Sequence, residues 1–280
     1  LLTHTGGLIS WIPFYTDLLS EDQKLIWLRK NKEGDFTIQL ADSLWLNENY
    51  KDSMWAKIKS SPMGKVGNYV YSDLSFYILE RIVEKVSGKK LDQYVEKYFY
   101  EPLDLSTMGY KPIGKFDSSR IVPTEIDTLF RKQELKGFVH DPGCAMFGGV
   151  AGNAGLFSNA NDIAVISQML LNGGEYAGIT YFKKETVDLF TSKQFEDCRR
   201  GLGFDKPETR PGKDSPAAAS APAAVFGHSG FTGTIFWADP DNDLIIVFLS
   251  NRVHPDAANK KISDLNIRTR IQEEVYKLIK

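Results

Sequence analysis

The stretch from Phe226 to Asn251 constrains the fold more than any other part of this 280-residue chain. Thr234 to Ala238 is β-branched and aromatic, Asp239 to Asp243 is a turn of Asp, Pro and Asn, and Leu244 to Leu249 is an unbroken apolar run. Those pieces predict a β-hairpin. A strand with one wet face alternates, whereas a continuous apolar run suits a strand covered on both faces, so the second strand is expected at a central sheet position. At the entrance of the first strand, His228-Ser229-Gly230 offers a titratable ring, a hydroxyl and a glycine beside which a ligand can approach the backbone. The same triplet also fits a polar strand entry that uses glycine to bend. Its meaning depends on the rest of the chain.

The clearest helix begins after Tyr71-Ser72-Asp73. Ile78, Leu79, Ile82, Val83 and Val86 recur at helical spacing, charges take the other face, and Gly88 stops the run. Ser72 and Asp73 are both residue types that cap helices, which leaves Tyr71 at an open helix end where a side chain can face a cleft. A second helix carries Leu91 to Phe99 and ends before Pro102. Residues 9 to 70 hold four tryptophans, read as core, and a capping box at Ser20-Glu21-Asp22-Gln23; they predict a helical and irregular lobe that continues to about residue 140. The glycines from Gly148 to Gly155 lack the Gly-Lys-Ser/Thr ending of a phosphate loop and predict a tight turn into a helix at about 161 to 171, closed by Gly173-Gly174. Lys184 to Thr191 predicts another helix. Residues 207 to 222, rich in Pro, Ala and Ser, read as a mobile surface loop, and Lys260 to Lys280 as an amphipathic helix on the sheet. The sum is one α+β domain over residues 1 to 280, with an antiparallel sheet flanked by helices, a hairpin and terminal helix at about 225 to 280, and a mostly helical lobe at about 9 to 140.

Composition removes several functions. With 34 basic and 36 acidic residues and no basic cluster, no electrostatic case exists for nucleic acid. Cys144 and Cys198 lack metal-ligand spacing and the four histidines are scattered, so neither a metal nor a cofactor is expected. A disulfide between the two cysteines stays open. No apolar run reaches the ~18 residues of a membrane span. The chain opens on Leu1 with Thr3-His4-Thr5-Gly6-Gly7-Leu8, which reads as mid-domain sequence, so an excised fragment is expected.

Thr3-His4-Thr5-Gly6-Gly7-Leu8, Tyr71-Ser72-Asp73, the turn from Gly149 to Phe157 and His228-Ser229-Gly230, in that order, resemble the serine hydrolases of the β-lactamase and penicillin-binding-protein superfamily, on the branch of class C β-lactamases, D,D-peptidases and esterases. Glu101-Pro102-Leu103 and Asn251-Arg252 are similar to that family too. The resemblance implies three elements: Ser-x-x-Lys, Tyr-x-Asn and Lys/His-Thr/Ser-Gly. Tyr71-Ser72-Asp73 matches the second and His228-Ser229-Gly230 the third. Ser87-Gly88-Lys89-Lys90 matches the first literally, but it sits at a helix stop after Tyr71 and reads as helix-end chemistry. The resemblance therefore implies that the nucleophile and the first strands belong to further N-terminal sequence of the same protein, and that this chain alone is inactive.

For the intact domain the resemblance implies acyl transfer through an acyl-enzyme. Tyr71 would relay the proton, its phenolate favoured by His228 and the family's lysine, and the Phe231 amide would give half of an oxyanion hole. Asp73, Ser72, Ser229 and Gly230 would complete the site. His228 in place of the usual lysine, with an unperturbed pKa of ~6.5, implies a weaker grip on a substrate carboxylate and favours esters, amides or D-amino-acid peptides over β-lactams. Asp73 in place of Asn can only accept, which implies pairing with the missing lysine or reading a substrate amine. Partners would be a small-molecule or peptide substrate, cell-wall peptides included, in a periplasmic or extracytoplasmic setting. The alternative is a binding or structural module that kept the fold and lost catalysis.

Overall fold

A computed structural model describes residues 1–279, so Lys280, where the terminal helix was expected to end, lies outside the described residues. A 3-10 turn at Phe14–Leu19 buries Phe14 and Leu18. Helix α1 (Glu21–Trp27) then starts where the capping sequence predicts, with the Ser20 hydroxyl accepting the Gln23 amide at 3.4 Å. The lobe expected to be mostly helical holds a three-stranded antiparallel sheet: β1 (Leu28–Arg29), β2 (Phe36–Ala41) and β3 (Leu44–Asn47), in the order β1-β3-β2. Its signal was the alternation of Phe36, Ile38 and Leu40 with Thr37 and Gln39, followed by the polar pair Asp42-Ser43. Leu40 and Leu46 enter a core that α2 (Tyr50–Ser60) completes with Tyr50, Met54 and Ile58, one helical face.

Helix α3 (Asp73–Ser87) ends at Gly88 in the left-handed conformation, φ 67°, as the glycine stop predicts. Only its first turns are packed: Leu74, Ser75 and Tyr77 are buried, while Val86 is 84% exposed. Helix α4 (Leu91–Val95) runs into a π turn at Glu96–Tyr100. Residues 103 to 140, expected to belong to the helical and irregular lobe, contain β4 (Gly109–Tyr110) and the hairpin β5 (Pro123–Asp127) and β6 (Gln133–Lys136). After α5 (Pro142–Met146), the glycine turn reaches β7 (Leu156–Phe157), which pairs with β4. Asn159 then caps α6 (Ala160–Leu171) by accepting the Asp162 amide at 2.9 Å. A short hairpin, β8 (Glu175–Tyr176) and β9 (Ile179–Thr180), leads to α7 (Lys184–Thr191), the span read from the sequence.

The opening hairpin is part of an antiparallel sheet of β10 (Phe226–Ser229), β11 (Ile235–Asp239) and β12 (Leu244–Phe248), in the order β10-β11-β12. This corrects the expected central place of the apolar strand: among the described residues β11 is central and β12 is an edge, with only Ile246 buried. Helix α6 covers both β11 and β12, which accounts for much of the apolar character of β12. The chain closes with α8 (Lys261–Asp264) and α9 (Ile267–Leu278). Residues 207 to 222, expected as a mobile loop, expose residues 211 to 214 and pack further on against the terminal helix. Ala217 and Ala218 are buried, and the Ala218 amide donates to Gln272 Oε1 of α9 at 2.7 Å. Alanine is small enough to fill the space between α9 and the sheet, where Val225, Ile235, Trp237 and Ile246 form a second buried cluster.

Candidate active site

Two backbone tracks place the first set of side chains. The segment around His4 runs beside residues 64 to 73: Val70 N–H donates to His4 O at 2.9 Å, Gly67 N–H to Thr5 O at 2.9 Å, Gly64 N–H to Gly7 O at 2.7 Å and Asp73 N–H to Ser10 O at 2.8 Å. His4 is buried, accepts the Ser72 amide on Nδ1 at 3.0 Å and stacks on Tyr71 with 4.3 Å between ring centroids. Tyr71 is thereby held at the mouth of α3 with its ring turned to a cavity. Burial and the Arg200 charge push the His4 pKa down to about 3, so it packs as a neutral ring.

The second track is β10 and the turn that follows. Gly230 N–H donates to Thr234 O at 2.8 Å and Gly233 N–H to Gly230 O at 3.0 Å, a tight loop around Phe231. A Cβ on Gly233, φ +105°, would meet Ser250 Oγ at 2.2 Å, so glycine is required there. Arg252 holds the Phe231 carbonyl through Nε at 2.8 Å and lies over its ring, while His140 stacks on that ring at 5.1 Å. With its carbonyl and ring so held, the Phe231 N–H enters no hydrogen bond among the described residues.

Tyr71, Asp73, His228, Ser229, Gly230 and Phe231 line one cavity of ≈ 810 Å³. Residues more than 150 positions apart in sequence therefore share one space. Ser72 does not join them, which corrects its expected substrate contact. It is buried, and its hydroxyl donates to Ile9 O at 2.7 Å, because a β-conformation residue next to the outward Tyr71 points inward. Ser87 is equally remote. It ends the 15-residue α3, roughly 20 Å along the axis from Asp73, and its hydroxyl bonds the Lys89 backbone.

Electrostatics change the expected roles of the titratable groups. His228 was expected to favour the Tyr71 phenolate as a cation, but burial and then Arg200 lower its pKa, so it is neutral at neutral pH. Arg200, which sequence reasoning missed, is the cation at this place: it is buried, bonds His228 Nε2 through Nη1 at 2.9 Å and lies 5.3 Å from the Tyr71 ring centroid. The doublet Arg199-Arg200 before Gly201-Leu202-Gly203 was its signal, since paired arginines in a short glycine loop need an acidic or aromatic partner. Even so the Tyr71 pKa is raised, by burial and then the Asp73 charge, against the pull of Arg200.

Among the described residues, no cation pairs with Asp73. Burial, reinforced by the Asp141 charge and offset by a hydrogen bond from Asn153, pushes its pKa up to about 6. Asp141 caps α5 through the Cys144 amide at 2.6 Å and accepts the Tyr77 hydroxyl at 3.1 Å. On the far side of the cavity, buried Arg131 reaches Glu125 at 2.9 Å and Asp127 at 2.8 Å and donates to Val139 O and His140 O, which ties the β5-β6 hairpin to the site. Cys144 and Cys198 are free and buried. Among the described residues, no cluster of three or more His, Cys, Asp or Glu is placed to hold a metal, and no helix is long and apolar enough to cross a membrane.

The chain is 38% identical over 203 residues to a putative D-alanyl-D-alanine carboxypeptidase of Escherichia coli K12, covering 68% of this chain and 46% of that protein. It is 34% identical over 245 residues to a protein of the same name from Salmonella agona, covering 80% and 56%. The chain thus spans about half the length of the curated relatives it matches. Among solved structures, a β-lactamase from Mycobacterium bovis superimposes with a TM-score of 0.52 at 21% identity, covering 77% of this chain and 66% of that one. A mutant of simvastatin synthase from Aspergillus terreus gives 0.59 at 15% identity, covering 99% and 64%. Those two likenesses concern the fold, which is the α+β architecture of β-lactamases and penicillin-binding proteins. The β-lactamase family model matches residues 1–268, the stretch that holds both tracks of the cavity, and the chain belongs to that family.

Proposed function

We propose that this chain forms one wall of the cleft of a serine acyl hydrolase whose substrates are D-amino-acid peptides, amides or esters. The observation that carries the reading is the meeting of Tyr71, just before α3, and Asp73, its first residue, with His228, Ser229 and the unpaired Phe231 amide in one cavity. Tyr71 serves as proton relay to the leaving group, and the Phe231 N–H as one donor to the developing oxyanion. Asp73, a half-buried carboxylate without a cation, attracts an ammonium, either the family's lysine or an amine of the substrate. The relatives named as D-alanyl-D-alanine carboxypeptidases favour a peptide with a D-residue and an extracytoplasmic setting near cell-wall peptides. In this reading the Ser-x-x-Lys element lies outside these 280 residues, since Ser87 is far from the cavity.

The experiment compares this chain with the longer natural protein on a D-Ala-D-Ala peptide, a short-chain aryl ester and a chromogenic cephalosporin. Turnover of the peptide or ester by the longer protein, with a serine acyl adduct and none on this chain, supports the reading. In the longer protein Tyr71→Phe should lower kcat by about 10²–10⁴-fold, the usual worth of a general acid–base group. Efficient cephalosporin hydrolysis with no ester turnover would overturn the substrate class. The absence of a Ser-Lys pair facing the cavity among the described residues favours a second reading, a non-catalytic binding module; it gains if the longer protein binds such peptides without forming an adduct.

A further inference from the structure

We infer that Arg200 is a positioning residue of this cleft: it holds His228 in the single neutral tautomer protonated at Nδ1 and is itself the fixed positive charge behind the third motif. The inference deepens the reading of the cleft given above, but its test needs no turnover.

The hydrogen bonds decide the tautomer. His228 Nδ1 lies 2.8 Å from Ser229 O, and a carbonyl oxygen can only accept, so Nδ1 carries the hydrogen. His228 Nε2 lies 2.9 Å from Arg200 Nη1, and a guanidinium can only donate, so Nε2 offers its lone pair. The opposite tautomer would set N–H against N–H on one side and a lone pair against a carbonyl on the other. Protonating Nε2 would lose the arginine bond and bring two positive groups together.

Arg200 cannot easily turn away. Its Nε and Nη2 donate to the Tyr69 hydroxyl at 3.2 and 3.0 Å, and Nη2 lies 3.3 Å from buried Asp205 Oδ2. Asp205 is gripped by Arg199 at 2.6 and 3.0 Å, and its backbone pairs with Gly227, one residue before His228, through bonds of 2.7 and 3.0 Å. The strip that carries the guanidinium is therefore stitched beside the strand that carries the imidazole. Beyond burial, Arg200 and Arg199 disfavour protonation of His228, the bond to Ser229 O and the Asp205 charge favour it, His4 stays neutral nearby, and the Tyr71 ring lies 6.2 Å away. Burial acts with the arginines.

Two chemical consequences follow. Both ring nitrogens are occupied, so His228 neither shuttles a proton nor offers an N–H to substrate, and recognition at this motif falls to the Ser229 hydroxyl and the Phe231 amide. The positive charge at the motif also belongs to a group that does not titrate near neutral pH.

The test is long-range 1H–15N NMR of this chain labelled at its histidines, with His228 assigned by its loss in His228→Gln. The expected signature is Nδ1 protonated, Nε2 bare, and a titration of His228 displaced below the usual ~6.5 of histidine. Arg200→Met should let His228 titrate towards that usual value and mix its tautomers, while Arg200→Lys, which keeps a donor and a charge, should restore the wild-type pattern in part. Tyr69→Phe, which loosens the guanidinium without removing it, should shift the titration in the same direction by less. A wild-type His228 protonated at Nε2, or titrating near 6.5, would overturn the inference whether or not any variant folds. So would an unchanged His228 signature in folded Arg200→Met. Failure of hydrolysis by the longer protein would leave these spectra unaffected, so the two readings fail separately.

Discussion

Asp73 shows most directly what one side chain costs. Its pKa is raised to about 6 in the folded chain, against an unfolded value near 3.9, so the folded state binds a proton in a range where the unfolded state does not. Its contribution is fully favourable below about pH 4 and is lost as pH rises through about 6. Glu80 acts in the same sense, since burial raises its pKa to about 7. Stability should therefore fall between about pH 4 and 7, and Asp73→Asn should flatten the part below pH 6 and stabilise the chain at pH 7 by about 1–3 kcal/mol. Urea unfolding at a series of pH values checks both. If the proposed role is right, the same substitution in the longer protein should raise KM or lower kcat, a stability gain at the expense of the site. Unchanged kinetics would leave Asp73 as no more than a favourable acid in the first turn of α3.

The elements position the site through close backbone approaches and one buried ion network. Gly227 in β10 lies so near β11 that a Cβ would meet Phe236 O at 2.0 Å. Gly227→Ala must therefore push β10 away from β11 and take His228 with it. The expected cost is about 2–4 kcal/mol in thermal or urea unfolding, with loss of the His228–Arg200 bond in the same NMR experiment. In the β5-β6 hairpin, Arg131 has a fully buried side chain between Glu125 and Asp127. Arg131→Met should cost about 3–5 kcal/mol, because it leaves two buried carboxylates without their cation. Replacing all three residues by apolar ones of similar volume should recover most of that loss.

Across the whole molecule, α9 joins the end of the chain to the sheet that carries the site. The Tyr276 hydroxyl donates to buried Asp239 Oδ2 at 2.7 Å, and Asp239 also holds the β11-β12 turn through the amides of Asp241 and Asn242. Tyr276→Phe should lower stability by about 1–3 kcal/mol, the cost of leaving a buried acceptor short of a donor, and a thermal melt reads it as a fall of a few degrees. The turn should keep its shape, since its own amides still bind Asp239.

Local rules made part of this legible before any coordinates. The Ser20 cap, the Gly88 stop, the span of α7 and the β11-β12 hairpin depend on residues within a few positions of each other, which a linear pattern displays. Tyr71, Asp73 and His228, singled out by the order of motifs, line one cavity. Periodicity could not tell that Ser72 turns inward to Ile9 O, that Ala217 and Ala218 are buried, or that β12 is an edge, because burial depends on what packs there from elsewhere. Nor could it pair His228 with Arg200, 28 positions earlier, so the charge assigned to the histidine belongs to the arginine. The sequence by itself determined the elements and the residue types offered to the cleft, through short-range backbone chemistry. The tertiary structure alone decided which groups are charged there, because desolvation and the nearest partner set protonation, and both are properties of the packed chain.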